Sequence, residues 1–318
     1  MEKRELGNTH ITVSKIGFGA LTIGYHQKNL EIEQGAKLIC YALDNGINFI
    51  DTAEYYQTYP YIKAALKNSS VDPVISTKSL VSTKSGMRKA VEYARKEMDR
   101  DVIDIFLLHE VRHGGDWEDR GGAWEYLNEA KAKGLIKAIG LSTHHTDVAE
   151  AASDFDGLDV LFPLINYAGL GIRKGAGSGL KEEMAAAIKN ASGNGIGIYG
   201  MKVFGGGNLL TDYVTALDYV YNLPGLDSMM VGFGCESEID DIVKYVEDRL
   251  EDGYTPDVSD KRMRVVQGDC AGCGACIRRC PNGSLFYNNF GLAEVNREIC
   301  LNCGYCAPVC PTRALVFF

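Results

Sequence analysis

The sequence predicts an α/β chain: a (β/α)8 barrel followed by a small α+β unit of different character. Three observations predict it. Short apolar runs alternate with amphipathic helical stretches over residues 1 to about 250, the pattern of a parallel sheet. Eight such runs fit that length, as a closed barrel requires. Beyond the last alternation, eight of the ten cysteines crowd between Cys270 and Cys310.

The strand-like runs are Ile16–Gly19, Ile47–Ile50, Val74–Thr77, Ile103–Leu108, Lys137–Leu141, Asp159–Phe162, Gly195–Tyr199 and Met229–Val231. Helical patterns fall between them at Glu33–Asp44, Ser85–Met98, Trp124–Lys133, Leu180–Asn190 and Glu236–Leu250. A doubly wound sheet is the alternative. It is disfavoured because Ile16–Gly19 does not lead through a Gly-x-Gly-x-x-Gly turn into a helix. Two long loops, Glu110–Gly122 and Gly169–Gly179, each follow a strand and so lie on the active-site face of a barrel, as lids or as surface insertions.

The 318 residues and 46% hydrophobic content suit one large core with an appendage. A net charge of −9 excludes nucleic-acid binding by bulk electrostatics. Met1–Gly7 carries no apolar leader, and no run approaches the ~18 apolar residues of a membrane span. A cytoplasmic, oxygen-poor setting follows from that and from free thiols. Cys40 and Cys235 sit in apolar-patterned segments and read as buried small hydrophobes. The barrel is assigned residues 1–255 and the tail 256–318, joined by a linker over Asp252–Val266. From Pro256 the tail carries seven Lys/Arg and five Asp/Glu, so it is mildly basic on an acidic barrel.

The tail repeats itself. Cys270-Ala-Gly-Cys273-Gly-Ala-Cys276-Ile-Arg-Arg-Cys280-Pro281 matches Cys300-Leu-Asn-Cys303-Gly-Tyr-Cys306-Ala-Pro-Val-Cys310-Pro311, with Leu285 and Leu315 equally placed afterwards. Two short spacers let three thiolates wrap one face of a cubane cluster. Two zinc sites are the alternative, but zinc takes two separated cysteine pairs rather than this run twice. The tail resembles two-cluster bacterial ferredoxins across its whole length. In that pattern the fourth cysteine of each run ligates the other cluster. One [4Fe–4S] cluster is therefore assigned Cys270, Cys273, Cys276 and Cys310, and the other Cys300, Cys303, Cys306 and Cys280.

Three ionisable residues end successive strands: Asp51, Lys78 and His109. Strand ends are where barrel chemistry sits, so they converge. Tyr56 follows Asp51 in the same loop. A tyrosine can donate a proton to a carbonyl oxygen if a nearby cation eases its loss; Lys78, held by Asp51, is that cation, and His109 orients the oxygen. Singly, such an Asp is a turn residue and such a His a satisfied structural group; the set carries the argument.

Residues 1–250 resemble the aldo/keto reductase superfamily, through Asn48-Phe49-Ile50-Asp51-Thr52-Ala53-Glu54-Tyr55-Tyr56, Ser76-Thr77-Lys78, Ile105-Phe106-Leu107-Leu108-His109 and Gly134-Leu135-Ile136-Lys137-Ala138-Ile139-Gly140-Leu141-Ser142. With the tail, the chain is similar to the ferredoxin-fused branch of that family. The resemblance implies carbonyl reduction by NAD(P)H, with the catalytic tetrad on Asp51, Tyr56, Lys78 and His109. It also implies cofactor contacts at Thr22, Ser142, Asn166, Met201, Lys202, Gly205, Gly206 and Glu238. The departures matter. Thr143 replaces an Asn, Phe162 falls near a Gln position with Asn166 close by, Met201-Lys202 takes the place of a stacking tyrosine with Tyr199 two residues away, and Glu238 replaces the Arg that grips a 2′-phosphate. That carboxylate argues for NADH over NADPH. Gly205-Gly206-Gly207 is either a phosphate-approaching run or a simple loop.

Hydride transfer moves two electrons and a cluster moves one, so a flavin is a further cofactor expectation, because it does both. The readings left open are an enzyme acting on a small carbonyl or alcohol, an electron-transfer protein served by a ferredoxin or flavodoxin with the barrel as scaffold, and a redox sensor. Four converging polar groups favour the enzyme. The roles of His113, His144 and His145 are not fixed by the sequence.

Overall fold

A computed structural model describes residues 1–251, 253–258, 261–301 and 305–318. Eight parallel strands close into a barrel in sequence order: β1 (Ile16–Gly19), β2 (Phe49–Asp51), β3 (Val74–Ser79), β4 (Ile103–Leu108), β5 (Ile136–Thr143), β6 (Val160–Pro163), β7 (Gly197–Gly200) and β8 (Ser228–Val231). Closure excludes the doubly wound alternative. The strands alternate as the pleat demands. In β4, Ile105 and Leu107 point into the barrel while Phe106 and Leu108 pack outward against helices. Gly140 is required where β5 meets β6, since a Cβ there would lie 1.9 Å from the Val160 carbonyl oxygen.

The outer layer is α1 (Ile32–Asp44), α2 (Tyr59–Asn68), α3 (Lys84–Met98), α4 (Gly121–Ala132), α5 (Thr146–Ala151), α6 (Lys181–Gly193), α7 (Tyr213–Tyr221) and α8 (Glu236–Val246). The sequence pattern carries α8 to Leu250, but the helix stops at Val246 and Asp248 turns left-handed (φ 53°). Cys235 corrects an expectation: it is exposed just before α8, because its segment is a loop rather than a strand. Cys40, on α1, is half-buried.

An antiparallel hairpin, Lys3–Glu5 against Thr12–Ser14, precedes the barrel and sends Leu6, Ile11 and Val13 into its interior. Both long loops carry structure of their own. The first holds a short helix, Gly114–Asp119, and the second a small hairpin, Arg173–Lys174 against Gly177–Ser178.

The tail is a separate α+β layer. Strand β9 (Met263–Val265) pairs with β12 (Leu315–Phe317), and β10 (Leu285–Tyr287) with β11 (Ala293–Val295); α9 spans Ala275–Arg279. Leu285 and Leu315, equivalent in the repeat, each begin a strand and share a small core with Met263, Val265, Ala293 and Ala314.

The tail docks on the barrel's C-terminal face. Phe317 N donates to Gly206 O at 2.8 Å, Asn208 Nδ2 to Leu315 O at 3.2 Å and Arg173 Nη2 to Thr312 O at 3.3 Å. Lys261 forms an ion pair with Glu238. Gly206 and Gly207 are left-handed (φ 67° and 82°), and a Cβ on either would press on Val316 or Phe317. The glycine run is where the last strand seats.

Candidate active site

The second strand ends on Asp51 and the third nearly ends on Lys78, so both side chains reach the top of the barrel. Lys78 Nζ donates to Asp51 Oδ1 and Oδ2 at 2.8 and 2.7 Å and to Thr52 O at 2.7 Å. An ammonium has three protons, so all are taken. The pair is buried: Lys78 is 1% and Asp51 4% exposed. Burial pushes the carboxyl up and the ammonium down, and each partner opposes the other's shift. Below them Tyr199 OH donates to Asp51 Oδ1 at 3.3 Å and shares a 2.7 Å bond with Ser76 Oγ. Its ring stacks on Phe162, centroids 4.0 Å apart.

Tyr56 ends a short turn after β2. Its ring stands edge-on to His109, centroids 5.6 Å apart, and Lys78 Nζ lies 4.8 Å over its face. Its hydroxyl bonds to no described residue. Burial first, then Asp51, Glu110 and Asp269, hold that hydroxyl protonated, well above the usual phenol range. Tyr55 points away: it is 53% exposed and stacks on His26 at 4.4 Å. His109 is kept neutral, chiefly by burial and then by Lys78, Arg120 and Arg112. Its Nδ1 is buried with no partner among the described residues.

Arg120 was not legible as part of the site. It is 4% exposed, and its guanidinium donates to the carbonyls of His109 and Ser79 at 2.8 Å each, tying two strand ends together. Ser79 Oγ in turn donates to Glu54 Oε2 at 2.5 Å, fixing the turn that carries Tyr56. A lone arginine in a polar loop gives no signal of such a role.

The expected cofactor contacts are mostly occupied by the protein. Asn166 spends its amide on Leu170, accepting from its N at 2.9 Å and donating to its O at 3.0 Å. Ser142 Oγ accepts from Glu110 N at 2.8 Å, and Thr143 Oγ1 donates to Val111 O at 2.7 Å. Glu238 accepts from Gly234 N at 2.6 Å besides holding Lys261. Gly205 and Gly206 lie under the tail, Met201 packs into the barrel core, and Thr22 is buried against Gly232. Lys202 and His144 line a cavity with tail residues. Of these contacts, Gly206 lies against β12 and Glu238 pairs with Lys261.

In the tail, Cys270, Cys273, Cys276 and Cys310 line one cavity. Ala293 N and Ala314 N donate to the sulfurs of Cys270 and Cys310, at 3.3 Å each. Four thiols with amide donors are the chemistry an iron–sulfur cluster asks for. Among the described residues no group of three His, Cys, Asp or Glu is placed to hold a single metal ion. Of the other set, Cys306 is buried and Cys280 accepts from Ser284 N at 3.2 Å; Cys303 lies outside the described residues. His113 caps the short loop helix, its ring accepting from Asp116 N at 2.9 Å, and His145 is buried beside Asp147.

Strand-end acid–base groups beneath a docked cysteine unit define the class: a barrel oxidoreductase joined to an iron–sulfur module. The aldo/keto reductase family model matches residues 15–218, and a 4Fe-4S binding domain model matches residues 293–316. The chain belongs to the aldo/keto reductase family. It is 26% identical over 164 residues to the uncharacterized oxidoreductase YqkF of Bacillus subtilis, covering 46% of this chain and 51% of that one. It is 29% identical over 136 residues to 2,5-diketo-D-gluconic acid reductase B of a Corynebacterium, covering 41% and 48%. The chain thus spans about half the length of the curated relatives it matches. The holo form of the aldo-keto reductase AKR11C1 from Bacillus halodurans shares the fold, with a TM-score of 0.65, 19% identity and coverage of 82% of this chain and 93% of that one. No helix among the described residues is long and apolar enough to cross a membrane.

Proposed function

We propose that this chain is an iron–sulfur oxidoreductase that reduces a small-molecule carbonyl, or oxidises the matching alcohol, at Tyr56. One observation carries the reading: the tail docks on the face of the barrel where Tyr56 lies, and Asp269, the residue directly before Cys270, lines a cavity there with His144 and Lys202 of the barrel. The reduction needs two electrons and two protons per carbonyl. Tyr56 OH donates one proton to the carbonyl oxygen; the second proton and both electrons would reach the carbonyl carbon as a hydride, the chemistry a reduced flavin or nicotinamide supplies when bound. Neutral His109 lies beside that ring to orient the oxygen, and the Lys78 cation, held by Asp51, stabilises the tyrosinate left behind.

Two [4Fe–4S] clusters, on Cys270, Cys273, Cys276 and Cys310 and on Cys300, Cys303, Cys306 and Cys280, would supply one-electron transfer when bound. A ferredoxin- or flavodoxin-type carrier is the partner this needs, in a cytoplasmic, oxygen-poor setting. NAD(H) or NADP(H) is the alternative source of electrons, in keeping with the family. A flavin would couple one- and two-electron chemistry when bound. An apolar groove of about 380 Å3 along Leu170, Leu209, Pro308 and Phe317 includes none of Asp51, Tyr56, Lys78 and His109, so the flavin is assigned to the tetrad cleft instead. The test is anaerobic purification followed by assay of iron, sulfide, flavin and nicotinamide. Roughly eight irons per chain supports the reading; protein lacking iron but reducing carbonyls with NADPH would sink it.

A further inference from the structure

The tail turns one side to the barrel and another to solvent. Its outer side is built around α9 and the β10–β11 hairpin. Of the four cysteines that line the cluster cavity, Cys276 and Cys310 are buried, whereas Cys273 is exposed on this outer side. A cluster held there meets solvent through Cys273.

Aromatic rings crowd around that cysteine. Phe290 is 85% exposed at the tip of the hairpin. It is held out by a built turn: Asn288 Oδ1 accepts from Phe290 N at 3.0 Å and from Leu292 N at 3.1 Å, and Gly291 is left-handed (φ 71°). The tip lies against the cysteine run, since a Cβ on Gly272 would meet the Gly291 carbonyl oxygen at 2.8 Å. Tyr287, also exposed, lays its hydroxyl over Gly274, where a Cβ would collide with it. Large rings left in water beside a redox centre are informative in a way that scattered surface leucines are not.

The same side is basic. Arg278 and Arg279 end α9, and both are exposed. Arg278 Nη1 donates to the Cys273 carbonyl at 3.2 Å, and the Arg279 guanidinium stands 5.5 Å from the centroid of the exposed Tyr305 ring. Among the described residues neither arginine forms an ion pair. Two carboxylates of the tail face elsewhere. Asp269 lines the seam with the barrel, and Glu294 stands opposite Phe286 in the hairpin register, across the pleat from Tyr287. The whole chain is at −9, so this basic face is the reverse of the rest of the molecule. Such segregation steers a partner of opposite charge to one place.

We propose that this face, built by Cys273, Arg278, Arg279, Tyr287, Phe290 and Tyr305, is where a one-electron carrier protein with an acidic surface docks. It rests on the proposed function in taking the cysteines as cluster ligands. Each encounter passes one electron: the carrier is oxidised by one and a cluster reduced by one. Two encounters supply the two electrons of one carbonyl reduction. A small, charge-steered contact suits a partner that must leave after each electron.

The test is calorimetry on the anaerobically purified, cluster-loaded full chain, with an acidic ferredoxin and an acidic flavodoxin as probes. At least one binds, and its affinity falls as salt is raised from about 20 to 300 mM. Arg279→Glu and Phe290→Ser each weaken that binding about fivefold or more. Arg279→Lys binds like the parent, and iron content is the same in all three variants. The proposal fails if neither carrier binds, if salt has no effect, or if Arg279→Glu and Phe290→Ser both bind like the parent. It fails too if sedimentation of the chain alone finds a salt-sensitive dimer that Arg279→Glu dissolves, because a second copy then covers the face. Carrier binding with no carbonyl turnover leaves the face standing and overturns only the reaction assigned to Tyr56.

Discussion

Lys78 gives all three of its ammonium protons to Asp51 and Thr52 and none to Tyr56, although its nitrogen lies 4.8 Å over the tyrosine ring. The lysine therefore acts on Tyr56 through its field. Burial first, and then the carboxylates of Asp51, Glu110 and Asp269, oppose that field, which leaves Tyr56 a proton donor rather than a standing tyrosinate.

Lys78→Met leaves Asp51 charged and unpaired in the barrel mouth. Breaking a buried pair from one side costs about 3–5 kcal/mol, more than removing both partners. Denaturant unfolding of the barrel should show Lys78→Met less stable than the Lys78→Met/Asp51→Asn double variant. Equal stability of the two would mean that Asp51 is not charged in the folded chain.

Acid should loosen the barrel through its histidines. His109 and His144 lie well below the ordinary value of 6.5, burial being the first cause for both. Below about pH 6.5 the unfolded chain takes up protons that the folded barrel refuses. Stability is thus full above that pH and falls as pH drops toward the folded values. A pH series of the barrel's melting temperature should fall more gently below 6.5 in His144→Gln than in the parent. Superimposable slopes would show that His144 is not held neutral.

Gly207→Ala places a Cβ 2.4 Å from the Phe317 carbonyl at a left-handed position (φ 82°). The C-terminal strand can then no longer seat on the β7 loop. Hydrogen exchange at Phe317 N, which bonds to Gly206 O, should quicken while the barrel strands stay protected.

Cys280→Ala and Cys310→Ala test the crossed ligation. Each should lose roughly half the iron, and the cluster lost should be the one whose other ligands lie in the opposite half of the repeat. Loss of the cluster on the same run would contradict the crossing.

The eight barrel strands were legible because each is an apolar run bounded by turns; Ile16–Gly19 and Ile103–Leu108 fall at their observed bounds. The N-terminal hairpin was not. Its first strand, Lys3–Glu5, is exposed throughout and offers no apolar run. Helix α2 escaped for a related reason: Tyr59-Pro60-Tyr61 hides its start. Asp51, Lys78 and His109 could be placed at the barrel mouth because strand ends fix where a side chain emerges. Arg120 was not, since its partners are two backbone carbonyls distant in sequence. Nor can spacing tell a glycine run that approaches a phosphate from one that receives a strand. Both need left-handed backbone without a Cβ, and only the fold shows that Val316 and Phe317 fill the space.

The central claim is that Tyr56 serves carbonyl chemistry driven from the iron–sulfur tail. It is met most directly by mixing the reduced, cluster-loaded protein anaerobically with a panel of carbonyl compounds, without nicotinamide, and following the visible absorbance of the clusters. The account predicts that at least one compound reoxidises the parent, that Tyr56→Phe slows this by about 10²–10⁴-fold with iron content unchanged, and that Tyr55→Phe does not. Reoxidation at equal rates in the parent and in Tyr56→Phe, or by no carbonyl at all, would contradict it.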